Sequence, residues 1–217
     1  MGYIVGVSVK MHKQVKIEEM RKEFCKVRVN LKGLIINIMF LYTPPNSQFA
    51  LDNITSFSEE YDNVIIMGDL NCRVGTEGFH TGNQICRQSK DMHINARGQR
   101  LLDTLSSSNL LIMNGYSRND KSGESTFVNA NGSSVIDLCL VSSNVFQWSD
   151  FKVCSAHDSN HFPIMYEMQP EQKSQKKTQK IEKAVWKPEN AERFRDDLNN
   201  YFDSHSSTTI SLSLIHI

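Results

Sequence analysis

Val64-Ile-Ile-Met-Gly-Asp-Leu-Asn71 is an apolar run that stops at Gly68 and delivers Asp69 and Asn71 at its end. A short Val/Ile-rich run bounded by polar residues reads as a buried strand. Side chains two apart on a strand share a face, so the Asp69 carboxylate and the Asn71 amide point together beyond the sheet edge. A carboxylate that accepts a proton, beside an amide that holds water or a phosphoryl oxygen, suits hydrolysis. As a bare spacing, Asp-x-Asn equally describes a turn capped by its own side chains.

Six more segments share that strand-like composition: Ile4 to Val9, Phe24 to Val29, Leu34 to Tyr42, Leu110 to Met113, Val135 to Val141 and Phe151 to Cys154. Two stretches read as helices. One runs from about Gln48 to Tyr61 with Phe49, Ile54 and Phe57 on one side; the other starts near Asn95 as N-cap, carries Leu101, Leu102 and Leu105, and closes at a serine run. Strands outnumber helices and several follow one another directly. That pattern predicts an α/β fold of two packed sheets flanked by helices, not a strictly alternating doubly wound sheet.

The chain has 217 residues, of which 39% are hydrophobic and 22% charged, so it is too apolar for wholesale disorder. Lys plus Arg equals Asp plus Glu at 24 each, so any polyanion would have to meet a local patch. Cys25, Cys72, Cys86, Cys139 and Cys154 are odd in number and form no CxxC pair, which argues against a zinc site or disulfide framework. No run approaches the roughly 20 apolar residues of a membrane span. An intracellular setting, nuclear or cytoplasmic and not secreted, is expected.

After Met168 the composition shifts. Residues 1–168 form the expected domain, 169–187 a basic linker with lysines at 173, 176, 177, 180, 183 and 187, and 188–205 an amphipathic helix with Phe194, Leu198 and Tyr201. Residues 206–217 read as a disordered tail, and Leu212 to Ile217 resembles a translated sequencing adapter.

A second chemical signal is Ser133-Ser-Val-Ile-Asp137-Leu-Cys-Leu-Val-Ser142, where one acid interrupts an apolar strand. A buried carboxylate needs a partner. His161, in Asp158-Ser-Asn-His-Phe-Pro163, is the candidate, because an Asp behind an imidazole fixes its tautomer and raises its basicity. A lone histidine is more often structural; its surroundings single His161 out from His12, His80, His93 and His157.

In order along the chain, Ile36-Asn-Ile-Met-Phe-Leu-Tyr-Thr-Pro-Pro45, Gly68-Asp-Leu-Asn71, Asn95-Ala-Arg-Gly-Gln-Arg-Leu-Leu102, Ser125-Thr-Phe127, Val135-Ile-Asp137 and Ser159-Asn-His-Phe-Pro163 resemble the endonuclease/exonuclease/phosphatase superfamily. They are most similar to the apurinic-type endonuclease domain that precedes reverse transcriptase in non-LTR retrotransposons. The resemblance implies a two-sheet sandwich, a DNA substrate, Mg²⁺ (or Mn²⁺) as cofactor, and a reverse transcriptase domain on the same chain. It also implies roles. Asp69 activates the attacking water, Asn71 orients it or the phosphate, His161 held by Asp137 polarises the phosphoryl group, and Tyr42 sits against the scissile phosphate.

Two departures from the family pattern bear on activity. The family's opening strand, with its Asn motif and its Gln-Glu motif carrying the principal metal ligand, has no counterpart here, so the domain is expected to be truncated at its start. Asn160 stands where the family has a metal-associated Asp. An amide can coordinate Mg²⁺ but brings no negative charge. The expected function is therefore a DNA endonuclease by lineage, impaired in this chain. The alternatives are an inactive nucleic-acid-binding fragment, or a superfamily member that hydrolyses a phospholipid, phosphoinositide or poly(A) tail.

Overall fold

The protein's structure, a computed structural model, describes residue 7 and residues 11–45, 51–78, 87–155, 159–168 and 210–214. In chain order the elements are β1 (Val15–Met20), β2 (Phe24–Leu31), β3 (Leu34–Leu41), α1 (Leu51–Glu60), β4 (Val64–Asp69), α2 (Ala96–Ser106), β5 (Leu110–Ile112), β6 (Phe127–Asn129), β7 (Gly132–Ser134), β8 (Asp137–Ser142), α3 (Ser143–Phe146), β9 (Ser149–Val153), β10 (Ile164–Met168) and β11 (Ile210–Leu214). The main sheet has the order β1-β2-β3-β4-β8-β5. β3 and β4 are parallel and joined across α1, whereas β8 runs antiparallel to both β4 and β5. A second sheet has the order β11-β10-β9, and β6 with β7 forms a separate hairpin.

Alternation along the central strands divides the core in two. Met39, Leu41, Val64, Ile66, Leu138 and Leu140 pack with Ile54 and Phe57 of α1 and with Leu101 and Leu105 of α2. The intervening residues Ile36, Ile38, Phe40, Ile65, Met67, Cys139 and Val141 face the other way and pack on Phe151, Ile164, Tyr166 and Met168 of the second sheet. Strands apolar on both faces are what a sheet covered on both sides requires. The molecule is thus a two-sheet α/β sandwich with α1 and α2 on the outer face of the main sheet.

Most anticipated elements are present. β2 and β3 fall where expected, α1 occupies Leu51–Glu60, and α2 is capped by Asn95, whose side chain accepts from Gly98 N. β8 starts two residues later than anticipated, at Asp137. β1 was not anticipated, because Val15-Lys-Ile-Glu-Glu-Met20 is mostly charged and exposed, as suits an edge strand. The β6–β7 hairpin and β10 were also missed, being short, or following a proline in a segment read only for its histidine. Residues 206–217 are corrected in part. Ile210–Leu214 is a strand antiparallel to β10, and its Ile-Ser-Leu-Ser-Leu alternation has the two-residue period that an open sheet edge accepts.

The strand expected over Ile4 to Val9, apart from Val7, lies outside the described residues, as do the basic linker and the helix expected over 188–205. Cys25, Cys72, Cys139 and Cys154 are free thiols. No helix among the described residues is long and apolar enough to cross a membrane.

β5 ends at Ile112, and its ladder to β8 is continued by a side chain. The buried Asn114 donates through Nδ2 to Asp137 O at 3.0 Å and accepts from Cys139 N at 2.9 Å. An asparagine amide presents a donor and an acceptor side by side, as a strand backbone does. Asn114→Ala leaves two buried backbone groups unpaired, at about 1–3 kcal/mol each. We expect a loss of about 3 kcal/mol in denaturant unfolding; a change under 1 kcal/mol would show that water replaces the amide.

Candidate active site

Three neighbouring strands deliver polar residues at one end of the main sheet. Tyr42 follows β3, Asp69 ends β4 and Asp137 begins β8; Asp69 and Asp137 are direct cross-strand partners. Strand parity puts Tyr42 in line with Ile38 and Phe40, Asp69 with Ile65 and Met67, and Asp137 with Cys139 and Val141. All three therefore emerge on the side facing the second sheet. There a cleft of about 420 Å³ is lined by Tyr42, Asp69, Asn71, Arg73, Phe127 and His161, among others.

Gly68 brings the chain to this point. Its φ is +149°, and a Cβ would overlap the carbonyl of Leu41, so the close approach of β3 and β4 requires glycine. Beyond it the chain turns through Asn71, which holds a left-handed φ of 51°. Asparagine tolerates this region better than most residues. Asn71 N donates to Asp69 Oδ1 at 3.0 Å, and Asn71 Nδ2 donates to Asp69 Oδ2 at 3.1 Å and to Thr43 O at 2.9 Å. The amide grips the carboxylate, so the capped turn and the chemical pair are one object.

Asp69 is only 4% exposed. Burial, then the charge of Asp137, push its carboxyl up to about 6, against the lowering influence of the Asn71 hydrogen bonds and of His161. His161 Nδ1 lies 3.0 Å from both Asp137 oxygens. A carboxylate partner places a proton on Nδ1. The Asp137 hydrogen bond raises the imidazole above its ordinary value, with burial opposing.

Thr126 joins these parts. Its hydroxyl accepts from Ile136 N at 3.0 Å and Asp137 N at 2.9 Å, fixing the start of β8. Its carbonyl accepts from Phe162 N at 2.8 Å, while Val128 N donates to Asn160 O at 2.9 Å, so the His161 segment lies along β6. The Phe127 and His161 rings stand 4.7 Å apart. Tyr42, Asp69, Asn71 and His161 thus meet at the cleft, with Asp137 behind His161. Asn160 is exposed and lies outside the cleft lining.

Other parts of the site were given no role in it by the sequence reading. Asn95 does more than cap α2: its Nδ2 donates to Asn71 O at 3.2 Å and its Oδ1 accepts from Arg73 N at 3.2 Å. Gly98 allows this docking, since a Cβ would overlap the Arg73 carbonyl. Arg73 pairs with the buried Asp91, 2.6 Å between Nη2 and Oδ1. Burial works to raise the Asp91 carboxyl, but hydrogen bonds from Arg73, Val135 N and His93 N outweigh it and hold the group below the ordinary range. The Asn-Ala-Arg-Gly motif signalled Asn95 and Gly98; nothing local signals the pairing of Arg73 with a residue 18 positions away.

The chain is similar in structure to the endonuclease domain of TRAS1, a telomere-specific non-LTR retrotransposon, with TM-score 0.56 and 18% identity, over 71% of this chain and 66% of that one. It therefore spans slightly under two thirds of that domain. A 3'-5' exonuclease (NExo) from Neisseria meningitidis superposes with TM-score 0.49 and 12% identity, over 71% of this chain and 70% of its own. The AP endonuclease LMAP from Leishmania major gives TM-score 0.49 and 13% identity, over 67% and 54%. No curated protein matches. A family model described as endonuclease-reverse transcriptase matches residues 36–165, a span that runs from β3 to β10 and includes every polar residue at the sheet end. By that match, over more than half its length, the chain belongs to the endonuclease-reverse transcriptase family.

Proposed function

We propose that this domain is a DNA phosphodiesterase that nicks a target strand, as part of a retrotransposon polyprotein carrying a reverse transcriptase. The observation that carries the reading is the meeting of Asp69 and His161 at one cleft, with Asp137 bonded behind His161. Asp69, with its carboxyl near 6, is ionised at neutral pH yet basic enough to take a proton from water. Asn71 fixes the direction of that carboxylate. His161, its Nδ1 committed to Asp137, offers Nε2 to a phosphoryl oxygen and stabilises the charge that develops there. Tyr42, at the same cleft, sits beside that charge.

Mg²⁺ or Mn²⁺ is the cofactor this reading implies, and the residues described fit it poorly. Among them no group of three His, Cys, Asp or Glu side chains could hold a metal ion. Both oxygens of Asp137 are within 3.0 Å of His161, both oxygens of Asp69 accept from Asn71, and residue 160 is an uncharged amide. The rate of this chain is therefore proposed to be depressed. Loss of one electrostatic stabiliser lowers rates by roughly 10² to 10³.

Nicking of supercoiled plasmid in Mg²⁺ or Mn²⁺ tests the proposal. Slow nicking is expected, abolished in Asp69→Ala and in His161→Ala and raised by Asn160→Asp, which places a carboxylate next to His161. DNA binding with no nicking in either the parent or Asn160→Asp would favour the inactive fragment. Hydrolysis of phosphoinositide or poly(A) in place of plasmid would favour the other substrates.

Thermal melts probe Asp69 separately. Its carboxyl is raised in the folded state, so stability falls as the pH climbs from about 4 through about 6 and the buried charge forms. Asp69→Asn removes that charge. At pH 7.5 the variant should be more stable by about 1–3 kcal/mol, since each pKa unit is worth about 1.4 kcal/mol. At pH 4 the gain should vanish; an equal gain at both values would refute the burial argument.

A further inference from the structure

Among the described residues lining the cleft Asp69 is the one acid, with Asp137 behind His161, and a nucleic-acid strand entering the cleft brings more negative charge. Among the described residues lining the cleft, Arg73 is the one lysine or arginine. Its side chain is fixed. Nε donates to Asp91 Oδ2 at 2.8 Å and Nη2 to Asp91 Oδ1 at 2.6 Å, so one edge of the guanidinium is committed. Nη1 donates to no described residue, and the side chain remains 34% exposed.

The fixture extends outward in layers. Asp91 is 4% exposed and also accepts from Val135 N at 3.1 Å and His93 N at 3.0 Å. The Arg73 backbone is bonded on both sides to Asn95, N to Oδ1 at 3.2 Å and O from N at 3.1 Å. The backbone bonds already tie these segments together, so the main chain of Arg73 does not depend on the pair for its place. What the pair adds is a fixed position for a permanently charged planar group that lines the cleft. Guanidinium donors of this kind suit phosphate oxygens.

We propose that Arg73 binds a nucleic-acid phosphate flanking the one that reacts, a binding role that rests on the DNA reading of the cleft. The reacting phosphate faces His161 and Asp69. Arg73 lies two residues past Asn71 and is bonded to the cap of α2, so the phosphate it holds is a neighbour on the same strand. Arg73 sets the register of the strand and takes no part in proton transfer.

The test is the salt dependence of binding, measured by fluorescence anisotropy on a labelled duplex oligonucleotide in EDTA between about 50 and 200 mM NaCl. One phosphate contact contributes about 0.9 to the slope of log K against log salt. Arg73→Gln keeps an amide that can still donate to Asp91 but removes the charge. Its slope should be shallower by about 0.9, so the affinity lost across that range shrinks about 3.5-fold. Arg73→Lys should restore the slope, and Arg73→Met, a second neutral variant, should match Arg73→Gln. Arg118→Gln, which alters an exposed Arg118–Asp150 pair outside the cleft lining, should keep the parent slope.

A folded Arg73→Gln with a lower melting temperature and the parent slope would overturn the proposal and leave the pair a structural tie. An equal fall in Arg118→Gln would overturn it too, by showing diffuse binding. A parent chain that binds no duplex at all would overturn the DNA reading along with it. Tight binding by the parent, with Arg73→Gln unchanged, would leave that reading standing and remove Arg73 alone.

Discussion

Two carboxylates stand directly opposite each other on the central strands β4 and β8, and the end of the sheet is organised around them. Like charges in cross-strand register repel, and burial enlarges the effect by removing water. Each acid has its own relief. Asn71 grips Asp69 from the following turn, and His161 lies across both oxygens of Asp137. The balance is unequal: His161 offers Asp137 a positive charge when protonated, whereas Asn71 offers Asp69 only dipoles. Burial, then the charge of Asp137, raises the Asp69 carboxyl, and the Asn71 hydrogen bonds offset this only in part.

The supports of this pair come from distant parts of the chain. Asn114 holds the outer edge of β8, Thr126 holds its first amides, and Asn95 holds the turn after β4. Each uses side-chain groups where a backbone partner is absent. Glycines admit the close approaches: Gly68 to the Leu41 carbonyl and Gly98 to that of Arg73. The apolar layers on the two faces of the main sheet keep these supports rigid, and a site on strand ends inherits that rigidity.

What could be read in the sequence follows from this division. Apolar runs such as Val64–Met67 and Leu138–Val141 declare buried strands locally, and the acids at their ends stand out because burial of charge is rare. Asp69, Asn71, Asp137 and His161 were legible on that ground, helped by the order of the motifs. β1 was not, because an edge strand exposes charged side chains and loses the apolar signature. Asn114 and Arg73 were not, because their partners lie 23 and 18 positions away and neither residue type is unusual in a loop. Such pairings exist only once the sheet is assembled.

The same division leaves the side chain of residue 160 outside the contacts that hold the architecture. The segment around His161 is placed by main-chain bonds, Val128 N to Asn160 O at 2.9 Å and Phe162 N to Thr126 O at 2.8 Å, together with the Ser159 hydroxyl accepting from His161 N at 3.1 Å. None of these uses the side chain of residue 160, which is exposed. Exchanging a carboxylate for an amide there alters the charge presented near the cleft without touching the contacts that hold His161 on Asp137. Asp69 and Asp137 have no such freedom, because each is buried and bonded to its neighbours through its carboxylate. Folding therefore constrains the histidine and the two buried acids and leaves the side chain of residue 160 unconstrained.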